Sequence, residues 1–208
     1  VSDSSRDGFD APPPEHPGEE VAYRYVGPPL LELRRWPVDE RRWMHRWDQQ
    51  GRLPGVVVVA TDGRGVLLIR QYREAVGASL WQLPRGYRDA DDVDALAAAR
   101  RELEEETGIR SGTGAGAHPQ RPDRVVGRLW VDPGLMSTGV DVVAVHLDGF
   151  PAGLGESAAA EGIHGRRVVA LDDIPSWIAR GDLTDALTIA ATTLYLATPG
   201  RGPVGGRS

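Results

Sequence analysis

RRELEEETGI, residues Arg100–Ile109, packs four glutamates into five positions, Glu102 to Glu106, with Leu103 as the one interruption. On a helix each residue turns by about 100°, so Glu105 falls about 60° to one side of Glu102 and Glu106 about 40° to the other. These three form one acidic patch, and Glu104 points nearly the opposite way. Like charges at i, i+3 and i+4 repel by a few tenths of a kcal/mol per pair, roughly. Two readings remain open on spacing alone. One is a solvated helix face; the other is a site where a hard cation reverses the sign of that repulsion, because oxygen ligands are what magnesium prefers.

The surroundings favour a helix. Asp91 to Thr107 carries apolar residues at Leu96, Ala99 and Leu103, with Asp91 and Asp92 as candidate caps and Gly108 where a helix stops. Upstream, GVVVVAT (Gly55–Thr61) and VLLIR (Val66–Arg70) flank DGRG and predict a hairpin. SLWQL (Ser79–Leu83) predicts another strand, which passes through Pro84 into the loop RGYRDADD and onto the acidic helix. Residues 111–124 carry no periodicity and predict a long loop. VGRLWV, VDVVAVHL and RRVVAL follow as strands. DDIPSWIARG is a short helix ending at Gly181. TDALTIAATTLYLA is a last helix capped by Thr184 and burying Leu187, Ala191 and Leu194. Strands mixed with three helices indicate a layered α/β (α+β) domain.

Composition narrows the function classes. Of the 30 acids and 24 basic residues, six acids and one arginine lie in residues 1–20, which leaves 24 acids against 23 arginines. The net charge of −6 therefore reflects an acidic, disordered tail over 1–20, with no basic surface for nucleic acid. Residues 198–208, rich in Gly and Pro, predict a second flexible tail. Every basic residue is arginine, so no single arginine stands out as chosen over lysine for phosphate. There is no cysteine, no apolar run long enough to cross a bilayer and no signal peptide at the start, and the expectation is a cytoplasmic protein without membrane partners.

With these segments in place, Arg101-Glu102-Leu103-Glu104-Glu105-Glu106-Thr107-Gly108-Ile109 resembles the second half of the box that defines the Nudix hydrolases, at every fixed position. LLIRQYR and LWQLPRG before the box, and DALTIAATTLYL near the C-terminus, resemble the ADP-ribose pyrophosphatase branch. The likeness extends over roughly residues 55–197. Gly86 matches the box glycine but stands one residue further from Arg101 than the pattern has it. The first glutamate of the box therefore falls on Val93 or on Asp92, depending on the direction of counting.

The resemblance implies an α/β/α sandwich with a mixed sheet over 21–197, in which residues 21–50 help to build a homodimer. It implies magnesium, or manganese, held by Glu102, Glu105 and Glu106 with a main-chain carbonyl at Arg85 or Gly86, and an orienting role for Arg101. The implied substrate is ADP-ribose or another nucleoside diphosphate sugar. A nucleoside triphosphate, a specialised nucleotide or a non-catalytic nucleotide sensor are the alternatives. The resemblance also places a general base on a loop after the box, where PAGLGESAAAEGIHG offers Glu156, Glu161 and, more weakly, His164. Arg70 and Arg73 are candidates for gripping phosphate or ribose, although on a continuous strand they face opposite ways. Trp81 fits either a core or a substrate contact. Trp36, Trp43 and Trp47 fit an interface or a stacking role.

Overall fold

The computed structural model describes residues 16–26, 31–40, 43–49, 54–111, 121–137, 139–150 and 162–198. They belong to two compact units, Val1–Pro54 with Trp130–Val140, and Gly55–Leu129 with Asp141–Ser208. Most of the two expected tails, and of the expected 111–124 loop, lies outside the described residues.

The first unit contains strands that the sequence reading did not anticipate. β1 (Glu20–Tyr25), β2 (Leu31–Pro37) and β3 (Trp43–Gln49) form an antiparallel sheet in the order β1-β2-β3. Glu32 is buried in it and accepts hydrogen bonds from Arg24 Nε at 2.8 Å and Arg34 Nη2 at 2.7 Å. Burial alone would raise its pKa, but the two guanidiniums outweigh that and hold it below the usual carboxylate range. Trp36 stacks on His16 with ring centroids 4.1 Å apart. Trp43 and Trp47 lie in β3.

The second unit holds the expected hairpin, β4 (Gly55–Thr61) and β5 (Gly65–Arg73). There follow β6 (Ala78–Gln82), the two-residue β7 (Arg85–Gly86), α1 (Ala95–Thr107), β8 (Arg124–Trp130), β9 (Gly139–His146), β10 (Ile163–Ala170), α2 (Ile174–Ala179) and α3 (Ala186–Ala197). The sheet runs β10-β5-β4-β9-β8, with β6 paired to β5 and β7 paired to β4. Side chains alternate across it, as the period of 2 requires. Val56, Val58, Ala60, Leu67, Val143 and Val145 form one core with Ala95, Ala98, Ala99 and Leu103 of α1. α3 covers the other face. The ring of Tyr195 lies 6.3 Å from that of His146, a neighbour of Val145 on the opposite side of β9. The result is the expected α/β/α sandwich. No helix among the described residues is long and apolar enough to cross a membrane.

Two helix starts differ from expectation. α1 is capped by Asp94, whose carboxylate accepts the Ala97 amide at 2.8 Å, and not by Asp91 or Asp92. α3 is capped by Asp185 and not by Thr184. Its buried face is Thr188, Ala191, Thr192 and Tyr195, with Leu187 and Leu194 only half-buried. The reason is a hydroxyl: Thr188 Oγ1 accepts the buried Leu83 amide at 2.9 Å, and this fixes which side of the helix turns inward.

Candidate active site

The site is built where β7 meets α1. β7 pairs with β4, with Arg85 opposite Val57 and Gly86 opposite Val56, so the loop after it starts from a fixed edge. α1 ends at Gly108, whose left-handed φ of 73° lets its amide return to the Glu104 carbonyl at 2.7 Å. Within that frame Glu102 and Glu106 lie one turn apart on the same side, and only 7% and 2% of their surfaces are exposed. Glu106 Oε2 accepts the main-chain amide of Arg85 at 2.9 Å. The Glu102 carboxylate presses on Gly86: a Cβ there would stand 2.2 Å from Cδ and Oε1, so any other residue would push the carboxylate from its place.

Arg101 organises the outer side. Its Nη1 donates to Glu102 Oε1 at 2.9 Å and Glu105 Oε2 at 3.0 Å, and its Nη2 to Asp92 Oδ2 and the Tyr87 carbonyl, each at 2.8 Å. The bond to Asp92, ahead of the charge of Glu102, holds the guanidinium pKa above its usual value. Burial alone would raise the Asp92 pKa; the bonds from Arg101 and the Asp89 amide keep it below the usual range. Of the two residues that counting offered for the first acid of the box, Asp92 is the one tied to Arg101. Val93 is 87% exposed. The extra residue is absorbed in the loop, and the shorter acid reaches the arginine.

Glu105 is drawn to Arg101 and its side chain is 46% exposed. Glu104 pairs outward with Arg110 at 2.7 Å. Among the described residues, no three Asp, Glu, His or Cys side chains already stand together as a metal site. The donor chemistry nonetheless fits a hard divalent cation. Two carboxylates are buried one helical turn apart, at a desolvation cost of several kcal/mol per ion, roughly, which Arg101 and the Arg85 amide offset in part and a bound cation would offset further. The space next to them is kept free of any Cβ by Gly86.

A second polar group lies nearby. Arg73 Nε and Arg85 Nη2 both donate to Gln82 Oε1, at 2.9 and 3.1 Å, and Gln82 Nε2 donates to Gln71 Oε1 at 2.6 Å. Arg85 Nη1 also reaches Asp185 at 3.2 Å. Burial, and then the charge of Arg85, push the Arg73 pKa down. Two cations meeting at one neutral oxygen make a seat suited to an anion.

The structure separates the two arginines of RQYR. β5 continues without a turn through Arg73, so Arg70 faces the other way, beside Trp81. Arg70 lies 5.9 Å over the Trp81 ring, while Arg167 lies 5.5 Å over both Trp81 and Trp177. Arg70 and Trp81 thus stand on the face away from Gln82 and Arg73. Glu156 and Glu161 lie outside the described residues. His164 is exposed, its Nδ1 3.1 Å from the Gly162 carbonyl. Sequence reasoning missed Gln82 and Asp185. Gln82 carried one signal, as the single polar residue at an inward position of SLWQL. Asp185 carried another, as an acid directly ahead of an apolar helical run.

Comparison with known proteins agrees with this geometry. Residues 51–188 match the NUDIX domain. An ADP-ribose pyrophosphatase of Mycobacterium tuberculosis is 39% identical over 59 residues, covering 28% of this chain and 28% of that protein. An ADP-sugar pyrophosphatase of Mus musculus is 36% identical over 88 residues, covering 42% of this chain and 36% of that protein. The alignments therefore span well under half of either relative. The crystal structure of an ADP compounds hydrolase superposes with a TM-score of 0.61 over 86% of this chain and 90% of its own. At 18% identity this likeness concerns the fold.

Proposed function

The chain belongs to the NUDIX domain family, and from that membership we propose that it is a magnesium-dependent hydrolase cleaving the pyrophosphate of ADP-ribose or another nucleoside diphosphate sugar into two monophosphates. The observation that carries this reading is the pair of buried carboxylates, Glu102 and Glu106, closed against the Arg85–Gly86 segment. The names of the two partial relatives support the substrate class.

Glu102, Glu106 and a main-chain carbonyl at Arg85 or Gly86 would hold the metal, with Glu105 joining once Arg101 releases it. When bound, magnesium supplies charge neutralisation of the diphosphate and a lowered pKa for a bound water. The chain's own part is positional. Arg73 and Arg85 seat the diphosphate oxygens through charge-assisted hydrogen bonds. Water attacks one phosphorus, the bridging P–O bond breaks, and the bridging oxygen leaves on the other phosphate. The proton from water passes to a carboxylate, for which Glu156 and Glu161 are the candidates. Arg101 keeps α1 and the 87–92 loop in one geometry throughout.

The reading includes a homodimer built through the N-terminal segment. Tyr23 and Tyr25 of β1 are about half exposed, at 55% and 48%, and such aromatic side chains suit a subunit contact. Sedimentation of the purified chain tests this and should give twice the chain mass.

The test of the activity is a panel of ADP-ribose, other nucleoside diphosphate sugars and nucleoside triphosphates assayed with magnesium. ADP-ribose or a nucleotide sugar should show the highest kcat/KM. A triphosphate in first place replaces the substrate. Binding of one compound with hydrolysis of none replaces the enzyme with a sensor.

A further inference from the structure

We infer that Arg166 of β10 is a positioning residue for the metal-binding carboxylate Glu106, an inference that rests on the proposed function. α1 has no basic residue in its last turn, so its C-terminal carbonyls and the Glu106 carboxylate place negative charge together at one end. Arg110, just past the helix, is exposed and turned outward to Glu104. The compensating cation comes from another element: Arg166 Nη2 and Nε donate to the main-chain carbonyl of Glu106 at 3.2 and 3.4 Å. Glu106 is thereby held at two points, its carbonyl by Arg166 and its carboxylate by the Arg85 amide at 2.9 Å.

The register of β10 explains why this arginine is the one that reaches the helix. Arg166 pairs with Ile69 and Arg167 with Leu68, so the two adjacent arginines point to opposite faces. Arg166 shares its face with Gln82, which also pairs with Ile69, while Arg167 lies over the rings of Trp81 and Trp177. Removing Arg166 leaves the donor atoms of Glu106 in the protein but frees the turn that aims them. Its effect should therefore appear in metal affinity, as for other groups that orient a ligand from behind.

The test uses the full chain and Mn2+ as probe, with binding followed by electron paramagnetic resonance in wild type, Arg166→Met, Arg166→Lys and Arg167→Met. Arg166→Met should weaken Mn2+ binding roughly 10- to 100-fold, Arg166→Lys should recover a large part of that loss, and Arg167→Met should stay within about twofold of wild type. Melting temperatures of the same proteins separate aiming from packing. Wild-type affinity in Arg166→Met overturns this inference and leaves the proposed function standing. So does a loss that Arg166→Lys fails to recover and that Arg167→Met shares in step with its melting temperature. A wild type that binds no Mn2+ overturns the proposed function itself.

Discussion

The two faces of β5, β6 and β10 carry the same residue type in two different employments. On one face Arg73 and Arg166 meet oxygen: Gln82 Oε1 for the first, the Glu106 carbonyl for the second. On the other, Arg70 and Arg167 meet indole rings. In a chain whose 24 basic residues are all arginine, the residue type says nothing about which cation serves the site. The neighbour decides. A guanidinium beside fixed oxygen acceptors keeps donors aimed inward, toward where an anion would sit. One lying on a tryptophan contributes about 0.5–1 kcal/mol of packing at an exposed position.

The largest effect that would sharpen this contrast lies at the carboxylates. Glu106→Gln should lower kcat/KM for ADP-ribose by about 100-fold or more with magnesium present, at unchanged circular dichroism, because a direct ligand matters at least as much as the groups behind it. Arg73→Met comes next: a charged hydrogen bond of about 1.5–3 kcal/mol corresponds to roughly a 10- to 100-fold rise in KM, with kcat less affected. Asp185→Ala should act first on stability, lowering it by about 1 kcal/mol through the lost helix cap in denaturant titration. A smaller rise in KM should accompany it as Arg85 loses its charged partner. Arg70→Met should leave kcat/KM within about twofold and lower stability by no more than about 1 kcal/mol. If it instead raises KM as much as Arg73→Met, the division between the two faces is wrong. The smallest effect is Glu104→Gln, an exposed ion pair with Arg110, which should stay within about 0.5 kcal/mol and be silent in the assay.

Much of this was legible in the sequence because it rests on periodicity. The β4–β5 hairpin, α1 with its stop at Gly108, and strands β6, β8, β9 and β10 follow from apolar spacing and turn residues. The caps were displaced because neighbouring candidates compete at each helix start, Thr184 with Asp185 at α3 and three acids at α1. Asp91, Asp92 and Asp94 all qualify by type, and Arg101 decides among them by claiming Asp92. The buried face of α3 was misjudged for a related reason. Hydrophobicity favours Leu187 and Leu194, but an unpaired strand amide at Leu83 requires the Thr188 hydroxyl on the inside. The β1–β3 sheet was missed because LELRRWP and WMHRWDQ offer too little alternation to suggest strands. At the site, the helix geometry of the acids was readable from spacing. Gln82 and Asp185 left only faint signals and Arg166 none: Asp185 and Arg166 acquire their roles through contacts 100 and 60 residues away, and Gln82 through the pairing of β6 with β5.

The bond from the Leu83 amide to Thr188 joins residues 105 apart, and the Arg85–Asp185 pair joins residues 100 apart. Contacts of such separation close late, after the intervening loop entropy has been overcome. A chain emerging from the ribosome therefore exposes the acidic helix and its glycine well before the last helix exists to clamp the strand in front of them. Completion of the proposed site therefore waits on α3, and a protease that clips this helix should disarm it without touching a single glutamate.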